Sequence, residues 1–292
     1  MTIHMRVAAR TDVGRVRSGN EDAFVAADLT AGGVSAPPAW TGLFEVGDRG
    51  VVLAVSDGMG GLAAGEVASS IVVSSLTSAL AAAPPGSPSR EEIAGAVESA
   101  HQKVWAEACS RGVEMGATLT AVYLRGSAAY VAEVGDSRAY IIRAGRITQL
   151  TKDQSYVQLL VDAGAVAPSE AQTMPDRHVI LQAMGSQPHL SLALGRLELR
   201  QLDCLVLCSD GLTTKMSDEV IRDVILGAPD LPTARDRLID LANERGGEDN
   251  ATVVLGGVSG DLPPPAAGEP IEATYRILET FAAPRPAPSR TV

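Results

Sequence analysis

An apolar run that stops abruptly at a Ser-Asp-Gly turn occurs twice in this chain, and no other feature constrains the fold as strongly. Val51 to Gly65 reads VVLAVSDGMGGLAAG, and Cys204 to Gly211 reads CLVLCSDG. Runs of this kind are buried strands. A carboxylate at the end of such a strand is fixed in position and faces a cleft, and Gly58, Gly60 and Gly61 let backbone come close to whatever it holds. A third acidic turn, GGEDN at Gly246 to Asn250, leads into the apolar run ATVVLGGV. Taken singly, each is an ordinary turn signal. The glycines could also cradle a nucleotide phosphate, but neither G-x-x-x-x-G-K-[ST] nor G-x-G-x-x-G is present. Three strand-end carboxylates far apart in sequence, Asp57, Asp210 and Asp249, point instead to one shared site for a hard cation, with the Gly58 carbonyl as a further oxygen donor.

Turns that meet must belong to one core, so residues 1–259 are read as a single domain. A chain of 292 residues that is 46% hydrophobic has ample material for it. The formal charge of -11 and a pI near 4.9 exclude a nucleic-acid binder with a broad basic surface. They leave a phosphorylated substrate open, because bound cations invert the local field. Cys109, Cys204 and Cys208 form no C-x-x-C pair and are expected to be buried, inert thiols in a reducing compartment. Met1 to Arg10 lacks the apolar centre of a signal peptide. The uncharged stretch Val67 to Ser89 is rich in Ser and ends in prolines, so a packed helix and a loop are expected there and no membrane span. The expectation is a cytoplasmic monomer without nucleic-acid or membrane partners.

Taken in order, Arg6 to Arg10 predicts a first strand, and TDVGRVRSGNEDAFVA (Thr11 to Ala26) a charged turn region. There Arg15 and Arg17 alternate with Val16 and share one side of an extended segment. Residues 28–50 read as an inserted loop or long hairpin pinned by Trp40 and Phe44. Ala64, Ala68, Ile71, Val72, Ser75, Leu76 and Ala79 have the spacing of one buried helical face. Ser89 and Glu92 form a capping box that opens a second helix, whose apolar side is Ile93, Ala96, Val97, Ala100, Val104 and Ala108. His101 and Trp105 are taken as packing or half-exposed residues. Gly116 to Leu150 predicts a β-meander with Asp136 in a Gly-Asp-Ser turn. Asp153 to Ala163 predicts a short helix, 164–188 a mobile flap, and Ser217 and Pro232 the starts of two helices. The Pro-rich residues 260–292 predict a largely disordered tail with one short amphipathic piece (Ile271, Tyr275, Leu278, Phe281).

Asp57, Asp210 and Asp249 offer oxygen ligands only. Four histidines occur, none with H-x-x-x-H spacing and none beside these turns in the sequence. Oxygen-only sites select Mg²⁺ or Mn²⁺ over Zn²⁺. Clustered carboxylates repel unless cations compensate. Two divalent ions about 3.5–4 Å apart would do so and could hold a bridging hydroxide for in-line attack on phosphorus. An arginine fork is the natural clamp for phosphoryl oxygens. The chemistry expected is metal-dependent phosphohydrolysis.

The ordered set TDVGRVRSGNEDAF, SDGMGGLAAGEVAS, MGATLTAV, VGDSRAY, LTKD, CSDGL and GGEDNATVV resembles the type 2C metal-dependent serine/threonine protein phosphatases in their compact bacterial form. The match runs from about Val7 to Val258. The resemblance implies an α+β fold: a four-layer α-β-β-α sandwich of two antiparallel sheets flanked by helix pairs, with the metal site in a cleft at one end. It implies that Asp57 bridges two Mn²⁺ or Mg²⁺ ions, that the Gly58 carbonyl holds one, and that Asp210 and Asp249 hold the other. Asp136 with Asp210 would form a third, weaker site. Arg17 aligns with the phosphate-binding arginine, and Glu21 and Asp22 with the acidic pair near the metals' waters. Asn250 would orient its turn, and Thr118 would be structural. The implied substrates are phosphoproteins, serine/threonine kinases and their targets among them.

This chain departs from the pattern at Met59, where many members carry a histidine proposed as general acid, and at Gln154 and Met174, where histidine is also common. The proton donor to the leaving seryl oxygen is therefore open. The alternative is a non-catalytic member that binds phosphoproteins or serves as a scaffold.

Overall fold

The computed structural model describes residues 2–35, 37–60, 64–84, 90–171 and 174–282. Its strands are β1 (Ile3–Asp12), β2 (Asp22–Asp28), β3 (Ala39–Glu45), β4 (Val51–Gly60), β5 (Met115–Ala117), β6 (Leu119–Arg125), β7 (Ala128–Val134), β8 (Arg138–Arg143), β9 (Arg146–Gln149), β10 (Ala193–Glu198), β11 (Cys204–Cys208), β12 (Ala251–Gly260) and β13 (Tyr275–Glu279). The helices are α1 (Ala64–Ala82), α2 (Arg90–Arg111), α3 (Tyr156–Asp162), α4 (Pro168–Ala171), α5 (Asp210–Thr213), α6 (Asp218–Gly227) and α7 (Leu231–Glu244).

Two antiparallel sheets result. The first has the order β3-β1-β12-β11-β8-β9, the second β13-β10-β7-β6-β4-β2, with β5 paired to β4. Central strands such as β6 and β7 are buried at every position, because each must cover one layer with its odd residues and another with its even ones. Val51, Leu53 and Val55 of β4 face the layer between the sheets, where Met5, Leu205 and Val254 meet them. Val52 and Ala54 face outward against Ala68, Val72 and Leu76 of α1 and Val97 and Val104 of α2. On the far side, Leu238 and Ile239 of α7 and Ile221 of α6 cover Val206 and Val253. The expected four-layer order is what forms. The buried face of α2 is the expected one, with His101 added to it. That of α1 is rich in Ala and Ser, so the helix lies close to the sheet. By length and composition α1 could cross a membrane, but half of that stretch is buried in the protein. Ser89 of the capping box lies outside the described residues.

Several expectations need correction. The meander is not one sheet: β6 and β7 belong to the second sheet and β8 and β9 to the first, so the chain changes sheets at Gly135-Asp136-Ser137. Gly135 takes a φ of +103° to make that corner, a conformation few side chains tolerate. Within 28–50, residues 39–45 form edge strand β3 against β1, with Trp40 stacked on Phe44 at 5.0 Å. Within 164–188, Ala183 and Met184 are buried and Met184 bridges to Ala117, so the end of that segment is anchored in the body. The 260–292 stretch is not all linker, because β13 extends the second sheet beyond residue 259 by pairing with β10. Buried Arg143 holds it there, donating to both carboxylate oxygens of Asp203 (2.8 and 2.6 Å) and to the Thr274 hydroxyl at 2.6 Å. A bidentate pair of that kind is stronger than a neutral bond, and no local pattern in the tail announces it. Residues 283–292 lie outside the described residues.

Cys208 is buried and Cys204 partly so, but Cys109, at the end of α2, is exposed, contrary to expectation.

Candidate metal centre

Asp57 lies directly across from Asp22 on β2; the apolar run stops there, but contrary to expectation the strand does not, because Gly58, Met59 and Gly60 continue β4 and pair with β5. Burial, then the charges of Asp22, Asp210, Asp136 and Asp249, push the Asp57 carboxyl well above the ordinary carboxylate range. All four of those neighbours are carboxylates. Gly58 follows, and a Cβ there would run into the carbonyls of Gly65 and Glu21. Only a glycine lets the start of α1 and the strand come together at this point.

The turn that carries Asp57 is latched to the one that carries Asp136. Thr118 makes the latch: its hydroxyl accepts from the Asp57 N–H at 2.9 Å and shares a hydrogen bond with the Ser137 hydroxyl at 2.8 Å. Its own N–H donates to the Asp57 carbonyl at 2.8 Å, and its carbonyl accepts from the Ser56 hydroxyl at 2.6 Å. Burial, with Asp210 and Asp153 adding, raises the Asp136 carboxyl well above its ordinary value.

Asp22 ties the sheets together at this end. One carboxylate oxygen accepts from the hydroxyls of Ser209, next to Asp210, and Thr252, two residues beyond Asn250, each at 2.7 Å. The other oxygen is buried without a hydrogen-bond partner among the described residues. Burial, opposed by the two hydroxyls and reinforced by Asp210 and Asp249, pushes Asp22 up to about 7.

Asp210 opens α5, and a Cβ at Gly211 would collide with the Asn250 carbonyl. The first-sheet acidic turns therefore touch only because that residue is glycine. Asn250 does more than orient its own turn: its amide donates to the carbonyls of Val13 and Gly19, both at 2.9 Å, and its side-chain oxygen accepts from the Glu21 N–H at 2.8 Å. It thus fixes the loop that carries Arg17. Arg17 bonds Asp249 at 2.9 Å, with both side chains substantially exposed. Its guanidinium is held charged by Asp249 first, then by Glu21 and Asp57. The Glu21 carboxyl is raised, chiefly by burial, and its side chain lies against Gly65.

Asp57, Asp210, Asp249, Asp136, Asp22, Glu21 and Arg17 all come to this one end of the sandwich. Among the described residues no three acidic side chains close into a ready-made cage, and Asp249 is engaged by Arg17. Carboxylates crowded in this way around Asp57, with Arg17 paired only to Asp249, are a donor set suited to hard divalent ions.

Sequence reasoning passed over His178, in the segment 164–188. Its Nδ1 stands 3.5 Å from an Asp210 carboxylate oxygen, a contact made through the fold and invisible in local spacing. Gln154 is buried behind the Asp136 turn, where its side chain accepts from the Gly135 N–H and its backbone N–H donates to the Gly135 carbonyl, both at 2.8 Å. It supports that turn and faces no substrate. A cleft of about 570 Å³ runs from Asp136 and Asp210 between this segment and α6, with Arg138, Arg177 and Lys215 along it.

Comparison with known proteins agrees with this geometry. Residues 39–226 match the family model described as protein phosphatase 2C. The serine/threonine protein phosphatase PstP of Mycobacterium tuberculosis is 38% identical over 261 residues, 88% of this chain and 46% of that protein. This chain therefore spans about half the length of that relative. The serine/threonine phosphatase stp of Listeria welshimeri is 34% identical over 86% of this chain and 95% of its own length. The PstP crystal structure covers 88% of this chain and all of its own with a TM-score of 0.76 at 36% identity. A second structure, of the PstP catalytic domain with two manganese ions, matches with a TM-score of 0.74 at 36% identity. The chain described here belongs to the protein phosphatase 2C family.

Proposed function

We propose that this chain is a metal-dependent protein serine/threonine phosphatase, hydrolysing phosphoserine and phosphothreonine by in-line attack of water at phosphorus. The observation that carries the reading is Asp57, crowded by the carboxylates of Asp22, Asp210, Asp136 and Asp249. That arrangement costs stability unless divalent cations offset it, and function is the reason to keep it. Asp57 and the Gly58 carbonyl would hold one Mn²⁺ or Mg²⁺, Asp57 with Asp210 and Asp249 a second, and Asp136 with Asp210 a weaker third. Bound there, such ions supply Lewis acidity toward phosphoryl oxygens and a water acidic enough to act as nucleophile at neutral pH.

The protein's own groups do the rest. Thr118 keeps Asp57 and Asp136 in fixed relation, and Asp22 keeps the Asp210 and Asp249 turns together across the sheets. Glu21 would accept hydrogen bonds from water at the cluster's edge, while Asp22, with one oxygen taken by Ser209 and Thr252 and the other buried, acts by holding those turns. Arg17 is free to leave Asp249 for the phosphoryl group, because an exposed pair is worth only about 0–1 kcal/mol and a phosphate dianion offers its planar fork two acceptors. As the water oxygen bonds phosphorus the ester P–O bond breaks, the seryl or threonyl oxygen leaves as the alcohol with a proton that in net comes from that water, and inorganic phosphate remains against Arg17. The substrates would be proteins phosphorylated by serine/threonine kinases, and the kinases themselves. The chain would act as a monomer in the cytoplasm, where its three free thiols suit a reducing environment.

The test is hydrolysis of p-nitrophenyl phosphate and a phosphothreonine peptide. Turnover is expected with Mn²⁺ and not with EDTA, and Asp57→Asn and Asp210→Asn are expected to be nearly inactive. Full activity in chelator, or in Asp57→Asn, would overturn the assignment. No turnover under any metal would favour the scaffold alternative.

A further inference from the structure

Behind the Asp136 turn, away from the acidic cluster, lies a cavity of about 300 Å³ between β7, β10, β13 and α3. Its walls are mainly apolar, with Leu150, Leu159, Leu194, Ile277 and Phe281 contributing. That volume is at the lower end of the range for small-molecule pockets, about 300–1,000 Å³. Four carboxylates line it, Glu133, Asp153, Asp162 and Glu279, against one ammonium, Lys152.

Three of these carboxylates already have cations. Asp153 is held bidentately by Arg138 at 2.8 and 2.7 Å, Asp162 by Lys152 at 2.7 Å, and Glu279 by Arg90. Glu133 is different. It is only 4% exposed, and one of its oxygens accepts from the Lys152 N–H at 3.0 Å. The other is fully buried with no partner among the described residues. Burial drives its carboxyl well above the ordinary range. A buried acceptor left unmatched costs about 1–3 kcal/mol, so the chain carries a defect that a ligand would repair.

We propose that this cavity is a binding site for a small organic cation, an amidinium or ammonium on an apolar body, with Glu133 as counter-ion. A planar amidinium whose body fills the space against Leu194 and Ile277 would meet Glu133 once its carboxyl turns to present the closed-off oxygen to the cavity. Neutral ligands of the same shape can donate a hydrogen bond but bring no positive charge to that carboxyl. The site also touches the catalytic end of the molecule. The Glu133 carbonyl accepts from Gln154 at 3.2 Å, and Gln154 holds both backbone groups of Gly135, so an occupant leans on the support of the Asp136 turn. Binding itself is independent of the phosphatase reading, and the test reads binding alone.

The experiment is a titration of the ¹⁵N-labelled full chain with benzamidine and with its neutral isostere benzamide. Benzamidine is expected to shift the amides of Gly135, Lys152 and Ile277 saturably and to bind at least about tenfold more tightly than benzamide, a difference of about 1.4 kcal/mol. Glu133→Gln keeps the shape and cannot ionise to pair with a cation, so it should fold and should erase that preference. Leu159→Arg, at a partly exposed position of α3, should weaken benzamidine by at least about tenfold through charge repulsion at the wall. The proposal is overturned if benzamide binds as well as benzamidine, if the preference survives in Glu133→Gln, or if benzamidine does not saturate these shifts.

Discussion

Replacing Asp22 by Asn should stabilise the metal-free protein at neutral pH. The Asp22 carboxyl stands at about 7 in the folded chain against a reference of 3.8. Its folded-state pKa is raised, so the folded protein holds that proton to higher pH than the unfolded chain does. The associated stability is fully present below about pH 3.8 and is lost as pH rises toward about 7. A gap of about 3 pK units at 1.36 kcal/mol each is on the order of 4 kcal/mol. Asn should escape this loss cleanly. Its carbonyl oxygen can keep the hydrogen bonds from Ser209 and Thr252, and its NH₂ stands where the other oxygen has no partner, as the protonated acid would. Thermal melts in EDTA across about pH 4 to 8 should show the variant and the native chain equal at the acid end. At the upper end the variant should melt higher, by roughly 10 °C for a domain of this size. Saturating Mn²⁺ should stabilise the native chain more than the variant, and phosphatase activity should fall in the variant. An Asp22→Asn protein no more stable than the native one at about pH 8, or a difference that does not change with pH, would refute the reasoning.

Two further outcomes follow from the polar contacts. Thr118→Val should lower phosphatase activity and cost about 1–3 kcal/mol, because it strands the Asp57 N–H and the Ser137 hydroxyl. Thr118→Ser should restore both activity and melting temperature, whereas a purely steric role for the threonine would leave Ser no better than Val. Asp203→Ala should cost about 3–5 kcal/mol by leaving Arg143 buried without its carboxylate. It should also release β13, read as increased hydrogen exchange at residues 275–279 with β4 and β6 still protected; uniform exchange throughout would show that the tail is not separately docked.

Much of the fold is legible before any coordinates. The alternation that buries α2 along Ile93, Ala96, Val97, Ala100 and Val104 is local, set by a period of 3.6 residues, and so is the stop from apolar run to Asp-Gly at residues 57 and 210. What local pattern cannot carry is pairing across the chain. The switch of sheets at Gly135 follows from which layer β8 can cover, and the strand at Tyr275–Glu279 follows from an edge on β10 and a buried arginine more than a hundred residues away. A Pro-rich stretch with one amphipathic piece looks the same whether or not such an edge exists. His178 came to Asp210, and Cys109 to the surface, for the same reason: a side chain's surroundings are set by elements distant in sequence.

The chain's own residue order determined that carboxylates would stand at the ends of apolar runs, and that Gly58 and Gly211 would leave room beside them. Those are properties of short segments, dictated by backbone geometry and hydrophobic period. Only the packed sandwich decided which of them face one another, that Asp22 rather than another acid bridges the two sheets, and that Glu133 is left alone against a cavity. Burial and electrostatic neighbours exist only once distant strands are brought together, and they alone set the charge state of these groups.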